Sequence, residues 1–227
     1  YRIRSTNNGA NWTTETRLTN NSSESSYPSV AIADSLVHVA WRDNRDGNFE
    51  TYYKVSTDGG AVWGTDTRLS NDPAYSYYPT ITASGSNVHV VWEDYRISNK
   101  FELYYKRSTN KGLSWGTETR LTFSNSQAEY PSIAISGNFL HLVWFDGRDG
   151  NTEIYYKRSS DQGVNWEADT RLTNNTAYSQ FPSIAVSGAL VNVVWTDKRD
   201  GNPEVYYKRN PAGNVGIENI STEIPSQ

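Results

Sequence analysis

Short apolar and aromatic runs separated by polar turn residues recur along the whole chain, and no stretch shows helical periodicity. Within residues 130–173, "PSIAIS" and "FLHLVWF" flank Gly137-Asn138, "EIYYKRS" follows Gly150-Asn151, and "ADTRLT" comes last. Apolar runs of this length bounded by Gly-Asn turns predict antiparallel hairpins. The unit therefore predicts four short β-strands.

This unit occurs four times at a nearly fixed period. Its repeated positions include Ser5, Ser56, Ser108 and Ser159, then Pro28, Pro79, Pro131 and Pro182, then Trp41, Trp92, Trp144 and Trp195. Four strands for every 51 or 52 residues predict a blade of a β-propeller. The alternative, a β-solenoid, has shorter rungs that are not linked as hairpins. We predict an all-β fold, a β-propeller of four four-stranded blades. The alternative is that these four blades are part of a larger ring.

The strand count predicts how the ring closes. The third strand of the unit occurs five times and the other strands occur four times; its copies are residues 1–5, 52–56, 104–108, 155–159 and 205–209. We expect the N- and C-terminal strands to pair and close the ring, because closure removes two open sheet edges. One third strand is then surplus, either Tyr1–Arg4 or Tyr206–Arg209.

The composition narrows the class of protein. The chain has 16 Tyr and 8 Trp but no Cys and no Met, and its net charge is −4. Without cysteine there are no disulfides, thiol nucleophiles or zinc-thiolate sites. No basic block points to nucleic acid, and no apolar run approaches the roughly 18 residues of a membrane helix. A chain without Met that begins inside a repeat is expected to come from a longer precursor.

The segment "STDGGAVW" at residues 56–63 resembles the Asp-box, or BNR repeat, of sialidases and related propellers. The four copies place its residues at Ser5, Asn7, Gly9, Trp12, Ser56, Asp58, Gly60, Trp63, Ser108, Asn110, Gly112, Trp115, Ser159, Asp161, Gly163 and Trp166. Asp or Asn accepts hydrogen bonds from the turn, Gly allows a positive φ, and Trp covers apolar surface. We predict a structural role. The resemblance implies that this turn lies on the face opposite the ligand site.

The opposite face carries the candidate ligand site, the repeated motif Trp-x-Asp-x-Arg. Its charged residues are Asp43, Arg45, Asp94, Arg96, Asp146, Arg148, Asp197 and Arg199. One hypothesis is a ring of charges around a mouth, with nearby Tyr and Trp stacking on sugar rings. The other is that each Asp and Arg pair within their own hairpin, or that each Arg pairs with the Glu that opens the next strand. The loops between blades vary most, which predicts that they determine ligand choice.

No catalytic residue is predicted. The resemblance to sialidases implies three arginines on one carboxylate, a Tyr activated by a Glu, and a separate acid, which is an asymmetric site. The four units are so alike that any proposed acid has equivalents in the other blades, and Tyr1-Arg2-Ile3-Arg4 only begins like the Phe/Tyr-Arg-Ile-Pro segment of sialidases. His38, His89 and His141 share one strand position, which Asn192 takes in the fourth unit. We predict no metal and no cofactor, because equivalent positions on different blades do not converge.

We assign residues 1–209 to the propeller and residues 210–227 to a flexible linker. The linker resembles the segment before the C-terminal sorting domain of proteins exported by the type IX secretion system of the Bacteroidetes, which implies export to the cell surface or medium. The leading hypothesis is a secreted, non-enzymatic propeller that binds a glycan or an extracellular protein through its loop-bearing face. The alternatives are a structural subunit that self-associates through its terminal strands, and a sialidase-like glycoside hydrolase. Neither nucleic acid nor membrane insertion is expected.

Overall fold

Residues 1–97 and 99–210, which the computed structural model describes, form four antiparallel β-sheets in chain order. The first sheet contains β1 (Ser25–Ala33), β2 (Leu36–Asp43), β3 (Glu50–Ser56) and β4 (Thr67–Arg68); the second contains β5 (Ser76–Ser84), β6 (Asn87–Ile97), β7 (Lys100–Ser108) and β8 (Thr119–Arg120). The third contains β9 (Ala128–Ser136), β10 (Phe139–Asp146), β11 (Glu153–Ser159) and β12 (Thr170–Arg171); the fourth contains β13 (Ser179–Ser187), β14 (Leu190–Asp197) and β15 (Glu204–Arg209). The predicted all-β propeller with four blades is confirmed. No helix in the described ranges is long and apolar enough to cross a membrane.

The core lies between neighbouring blades. The second strands of blades 2 and 3 are almost continuously buried, because both of their faces are covered by adjacent sheets, whereas β14 of blade 4 has exposed positions. Tyr53 of blade 1 packs with Ile81 of blade 2, and Tyr156 of blade 3 packs with Ile184 of blade 4. Each blade therefore buries its apolar face only when the next blade is present.

The turns formed by "STDGGAVW" and its three copies, here called the octet turns, also join neighbouring blades. In blade 1, Ser56 Oγ donates to Asp58 Oδ1 at 2.7 Å, and the backbone N–H of Gly60 donates to Ser56 Oγ at 2.8 Å. In blade 2, the ring of Trp115 meets Tyr53 of the preceding blade edge to face, with centroids 4.9 Å apart. The octet thus forms a self-bonded turn whose Trp packs on the blade before it.

The predicted ring closure is wrong. β14 pairs with β15, so residues 204–209 take the third-strand position of blade 4. Tyr1–Arg4 lies instead beside blade 1, where Arg2 forms a bridge with Thr16 and Arg4 Nη1 donates to the Gly59 carbonyl at 3.0 Å. The short turn between β14 and β15 makes this local pairing entropically cheaper than joining the two ends of the chain. The four sheets form an open row, and the predicted linker beyond residue 210 lies outside the described residues.

Candidate ligand-binding mouth

The aspartates of the Trp-x-Asp-x-Arg motif are buried and saturated with hydrogen bonds. Asp43 accepts from Trp41 Nε1 at 3.0 Å, from Ser25 Oγ at 2.7 Å and from the backbone N–H of Arg45 at 3.0 Å. Burial alone would raise the pKa of Asp43, but the bonds from Arg45, Trp41 and Ser25 lower it overall. Asp94, Asp146 and Asp197 are equally buried. These carboxylates hold the loop in place.

The arginines of the motif pair with acids of their own blade, and Arg96 also lies 3.8 Å from Asp72 in the loop between blades 1 and 2. Arg45 Nη2 lies 2.6 Å from Asp43, and its Nη1 lies 2.6 Å from Asp66. The guanidinium also stacks on Tyr52, 4.4 Å from the ring centroid. Arg96, Arg148 and Arg199 repeat the pair with Asp94, Asp146 and Asp197. Among the described residues no ion pair joins one set to another, so the sets are not brought together, and their predicted role in ligand binding stays a prediction.

The Glu that opens each third strand has a different partner from the one expected. Glu50 pairs with Arg68 of β4, whose Nη2 lies 2.6 Å away. Arg120 and Glu102 repeat this pair at 2.9 Å in blade 2. In blades 1, 2 and 3 these ion pairs tie the short fourth strand to the strand beside it.

An arc of aromatic residues lies near the propeller axis. Tyr27, Tyr78, Tyr130 and Phe181, here called the axial arc, precede the repeated prolines of the four first strands. Their successive ring centroids lie 4.6, 4.5 and 4.7 Å apart. Together with the prolines they line an open cavity of about 340 Å³.

Each residue of the axial arc has a strained backbone. Their φ angles are 52°, 46°, 52° and 54°, in the left-handed region that bulky residues avoid. The following proline adds a further restriction against helical conformations at that position. A register shift in the strand pairing accompanies the residue, as in β1 between Ser26 and Ser29. The same strained conformation in all four blades turns an aromatic side chain of each first strand towards its neighbours, and strain of this kind concentrates at functional sites.

Beside the axial arc, blades 1 and 2 carry a second aromatic group that the other blades lack. The mouth cluster consists of Phe49, Tyr75, Tyr77, Tyr95 and Phe101. Tyr77 is central: its ring centroid lies 5.7 Å from Tyr75, 5.5 Å from Phe49 and 5.7 Å from Phe101. Tyr77 also contacts Tyr78 at 6.1 Å, which makes the mouth cluster continuous with the axial arc.

Arg42 joins the two aromatic groups. Its guanidinium lies 4.3 Å from the ring centroids of both Tyr27 and Phe49, and 4.8 Å from that of Tyr77. Nη2 of Arg42 also pairs with Glu24 at 3.0 Å, and the bonds from Ser26 and Arg42 lower the pKa of Glu24. The mouth therefore has one oriented guanidinium among several aromatic faces.

The four blades differ at the residue after the motif tryptophan. It is Arg42 in blade 1, Glu93 in blade 2, Phe145 in blade 3 and Thr196 in blade 4. Glu93 is fully buried, accepts one hydrogen bond from the backbone N–H of Tyr130 at 2.5 Å, and has its pKa raised well above the usual range by burial. The view that the four units offer only equivalent surroundings fails at this position.

The sequence interpretation passed over these residues although a signal was present. The axial arc was visible as a Tyr-Pro or Phe-Pro pair repeated in every unit, and the asymmetric position was the variable letter inside Trp-x-Asp. The charged positions shared by all units gave the predicted site instead. In a repeat protein the shared positions build the fold, so a position that varies within a shared motif is where the blades can differ in function.

Each of the three histidines is hydrogen bonded to a tyrosine of its own blade. Nδ1 of His38 is hydrogen bonded to Tyr53 Oη at 2.6 Å, and that of His89 to Tyr105 Oη at 2.7 Å. His141 makes the same contact with Tyr156, so Nδ1 of each histidine is anchored within its own blade, whereas Nε2 of His38 and of His89 is buried with no hydrogen-bond partner among the described residues. The described part of the chain contains no group of three His, Cys, Asp or Glu residues arranged to hold a metal ion.

Solved structures with this fold include glycoside hydrolases. The α-L-arabinofuranosidase of Fusarium graminearum, family GH93, in complex with arabinobiose superposes with a TM-score of 0.63 at 15% identity, over 82% of this chain and 62% of its own. A sialidase of Trypanosoma rangeli superposes with a TM-score of 0.61 at 16% identity, over 81% of this chain and 36% of its own. A protein of unknown function from Dyadobacter fermentans gives a TM-score of 0.67 at 14% identity, over 86% of this chain and 67% of its own.

The sequence itself matches no protein-family model and no curated protein. The chain spans about two thirds or less of the length of the structures it resembles. At such low identity the likeness carries the fold and not the activity. The chain therefore has the fold of a sialidase-like β-propeller.

Proposed function

We propose that this chain is a secreted, non-enzymatic propeller that binds a glycan at the mouth formed by the axial arc and the mouth cluster. The observation that carries the proposal is the continuous aromatic surface running from Tyr75 through Tyr77 to Tyr78, with Arg42 beside it. Flat aromatic faces with polar tips pack against the apolar face of a sugar ring and bond its hydroxyl groups. Export is supported by the resemblance of the tail to a secretion linker.

The acidic groups at the mouth favour binding over hydrolysis. Glycosidases place two carboxyl groups on either side of the bond that breaks. Here Glu93 is fully buried, and Glu24 is engaged by Arg42. Glu129 is half-buried, and burial raises its pKa. Glu24 is exposed but paired with Arg42, so within this set Glu129 is the one accessible carboxyl group without an ion pair among the described residues, where hydrolysis needs two.

A glycan array tests the proposal directly. The chain is expected to bind one class of glycan, and Tyr75→Ala or Tyr77→Ala is expected to weaken that binding about tenfold or more by removing a stacking face. Tyr178→Ala is the matched control, because Tyr178 has the position of Tyr75 in blade 4 and similar exposure (52% against 47%). Tyr178 makes no ring contact within the described part of the chain, so its loss is expected to leave binding unchanged.

The outcomes separate the candidate functions. An array without binding would contradict the glycan proposal and favour a protein ligand. Equal loss in the Tyr75 and Tyr178 variants would show that the mouth cluster is not the site. Turnover of a fluorogenic sialoside or arabinofuranoside by the unmodified chain would overturn the non-enzymatic assignment and support the hydrolase alternative.

A further inference from the structure

The first blade exposes apolar residues that the following blades bury. Val30 and Ile32 of β1, here called the leading face, are 63% and 66% exposed. The residue that corresponds to Val30 is buried in the next three blades, as Ile81, Ile133 and Ile184. In those blades the preceding blade covers it. The leading face borders a groove of about 870 Å³ that also includes Ile3, Trp12 and Trp63.

The last blade exposes the complementary surface. Val194, Val205 and Tyr207, here called the trailing face, are the residues of blade 4 that would meet a following blade. Val205 is 79% exposed and Tyr207 is 45% exposed. Their counterparts in blade 3 are Val143, Ile154 and Tyr156, and all three are buried against blade 4.

The joint between blades 3 and 4 shows how the two faces fit. There Val143, Ile154 and Tyr156 form one apolar cluster with Ile184, against which Val186 also packs. At the same repeat positions the trailing and leading faces keep aliphatic or aromatic side chains, with Val exchanged for Ile or Ile for Val at three of them: Val, Val and Tyr against Val and Ile. Exposed apolar surface of this kind on a folded protein marks an interaction site.

We infer that this protein associates head to tail with a second copy of itself, the trailing face of one copy covering the leading face of the next. The contact is heterologous, because the two faces are different surfaces of the chain. Residues 1–4 take the position of a third strand beside the groove, so they compete with β15 of the incoming copy. They are held there by the Arg2–Thr16 bridge and by bonds from the side chains of Arg2 and Arg4, so docking of a whole blade moves this short segment aside.

Two complementary variants test the inference. The leading variant carries Val30→Asp and Ile32→Asp, and the trailing variant carries Val205→Asp and Tyr207→Asp. Light scattering during size-exclusion chromatography is expected to show a mass above the monomer for the unmodified chain as its concentration rises. Each variant alone is expected to be monomeric, with association weakened about a hundredfold. Mixed in equal amounts, the two variants are expected to form a heterodimer, because each retains the face that the other has lost.

Controls keep the test decisive. Leu113→Asp makes the same kind of change at an exposed apolar residue of an octet turn, away from both faces, and is expected to associate like the unmodified chain. Circular dichroism and thermal unfolding check that each variant is folded. If the leading variant is not folded, Val30→Ser replaces it, and if the trailing variant is not folded, Val205→Ser replaces it. An unmodified chain that stays monomeric at every concentration would overturn the inference. Association that survives in either variant, or variants that do not combine, would also overturn it.

Discussion

At the scale of single residues, the charged side chains form two groups. Those of one group make an ion pair that is repeated in every blade, and those of the other stand at positions where the blades differ. The Arg45 and Asp43 pair is present in every blade, whereas the position of Arg42 differs in every blade. The sequence allowed the prediction that Asp and Arg of the motif pair within one hairpin, because they are two residues apart. It did not reveal Asp66 as the second partner of Arg45, because that contact bridges 21 residues of chain through the sheet.

Loss of the repeated arginine is expected to destabilise the fold. Arg45→Ala leaves the buried carboxylate of Asp43 without its cation and is expected to lower the free energy of unfolding by about 2–3 kcal/mol. Lys198→Ala, an exposed turn residue of blade 4, is the control and is expected to have little effect. Urea denaturation measures both. If folded Arg45→Ala has unchanged stability and loses glycan binding, the motif arginine is a ligand residue as one sequence hypothesis holds.

The buried histidines are expected to make stability depend on pH. Burial lowers the pKa of His38 to about 4 and that of His89 to about 3, compared with about 6.5 for an unfolded chain. Between these values the unfolded chain binds protons that the folded chain does not. Stability is therefore full above about pH 6.5 and is lost as the pH falls towards 4.

Asn192, which replaces histidine in blade 4, supplies the variant for this test. Its Oδ1 accepts a hydrogen bond from Tyr207 Oη at 2.8 Å, so Asn fills the same role without titrating. The triple substitution of His38, His89 and His141 by Asn is expected to flatten the dependence of the unfolding free energy on pH between 6.5 and 4. Identical slopes for both proteins would show that the histidines do not cause it.

At the scale of elements, strands and turns could be predicted because their signals are local. Alternating apolar runs and Gly-Asn turns gave the hairpins, and the octet gave the turn after each third strand. The left-handed conformation of Tyr78 could not be predicted, since a bulky residue before proline is expected to be extended. Packing against Tyr27 and Tyr130 outweighs the local preference there.

The octet glycine offers a test of the joint between blades. Gly112 has a positive φ, and a Cβ at this position would overlap the hydroxyl end of Tyr53 in the preceding blade. Gly112→Ala is expected to lower the free energy of unfolding by about 2–4 kcal/mol. Gly137 also has a positive φ but has open space around it, so Gly137→Ala is expected to cost only about 1 kcal/mol. If urea denaturation shows that both substitutions lower the free energy of unfolding equally, backbone strain alone accounts for the effect at Gly112.

At the scale of the whole molecule, the number of blades could be predicted from the period of the repeat. The arrangement of the blades in an open row could not. Closure depends on the accumulated angle between successive blades, to which every joint contributes and which no local pattern encodes. Residues 1–4, counted from the sequence as a fifth third strand, form only the isolated bridge between Arg2 and Thr16 beside blade 1. The difference between the two ends of the row was likewise not visible in the sequence.

An open row is expected to be least stable at its ends. In repeat architectures each unit is stabilised by its neighbours, and blade 4 has a neighbour on one side only. Hydrogen exchange is expected to show faster amide exchange in β13–β15 than in β5–β11 at concentrations where the chain is monomeric. Uniform protection across all four blades would show instead that the row unfolds as a single cooperative unit.

The variable residue inside Trp-x-Asp has a consequence for protein engineering. The flanking Trp and Asp are bonded to each other in every blade, as in the 3.1 Å contact between Trp92 Nε1 and Asp94, so this bond forms with four different side chains between them. Positions 42, 93, 145 and 196 already carry a cation, an acid, an aromatic ring and a small hydroxyl side chain. A combinatorial library at positions 42 and 196, where the side chains are not part of a buried core cluster, would vary the mouth of the propeller while keeping the buried Glu93 and Phe145.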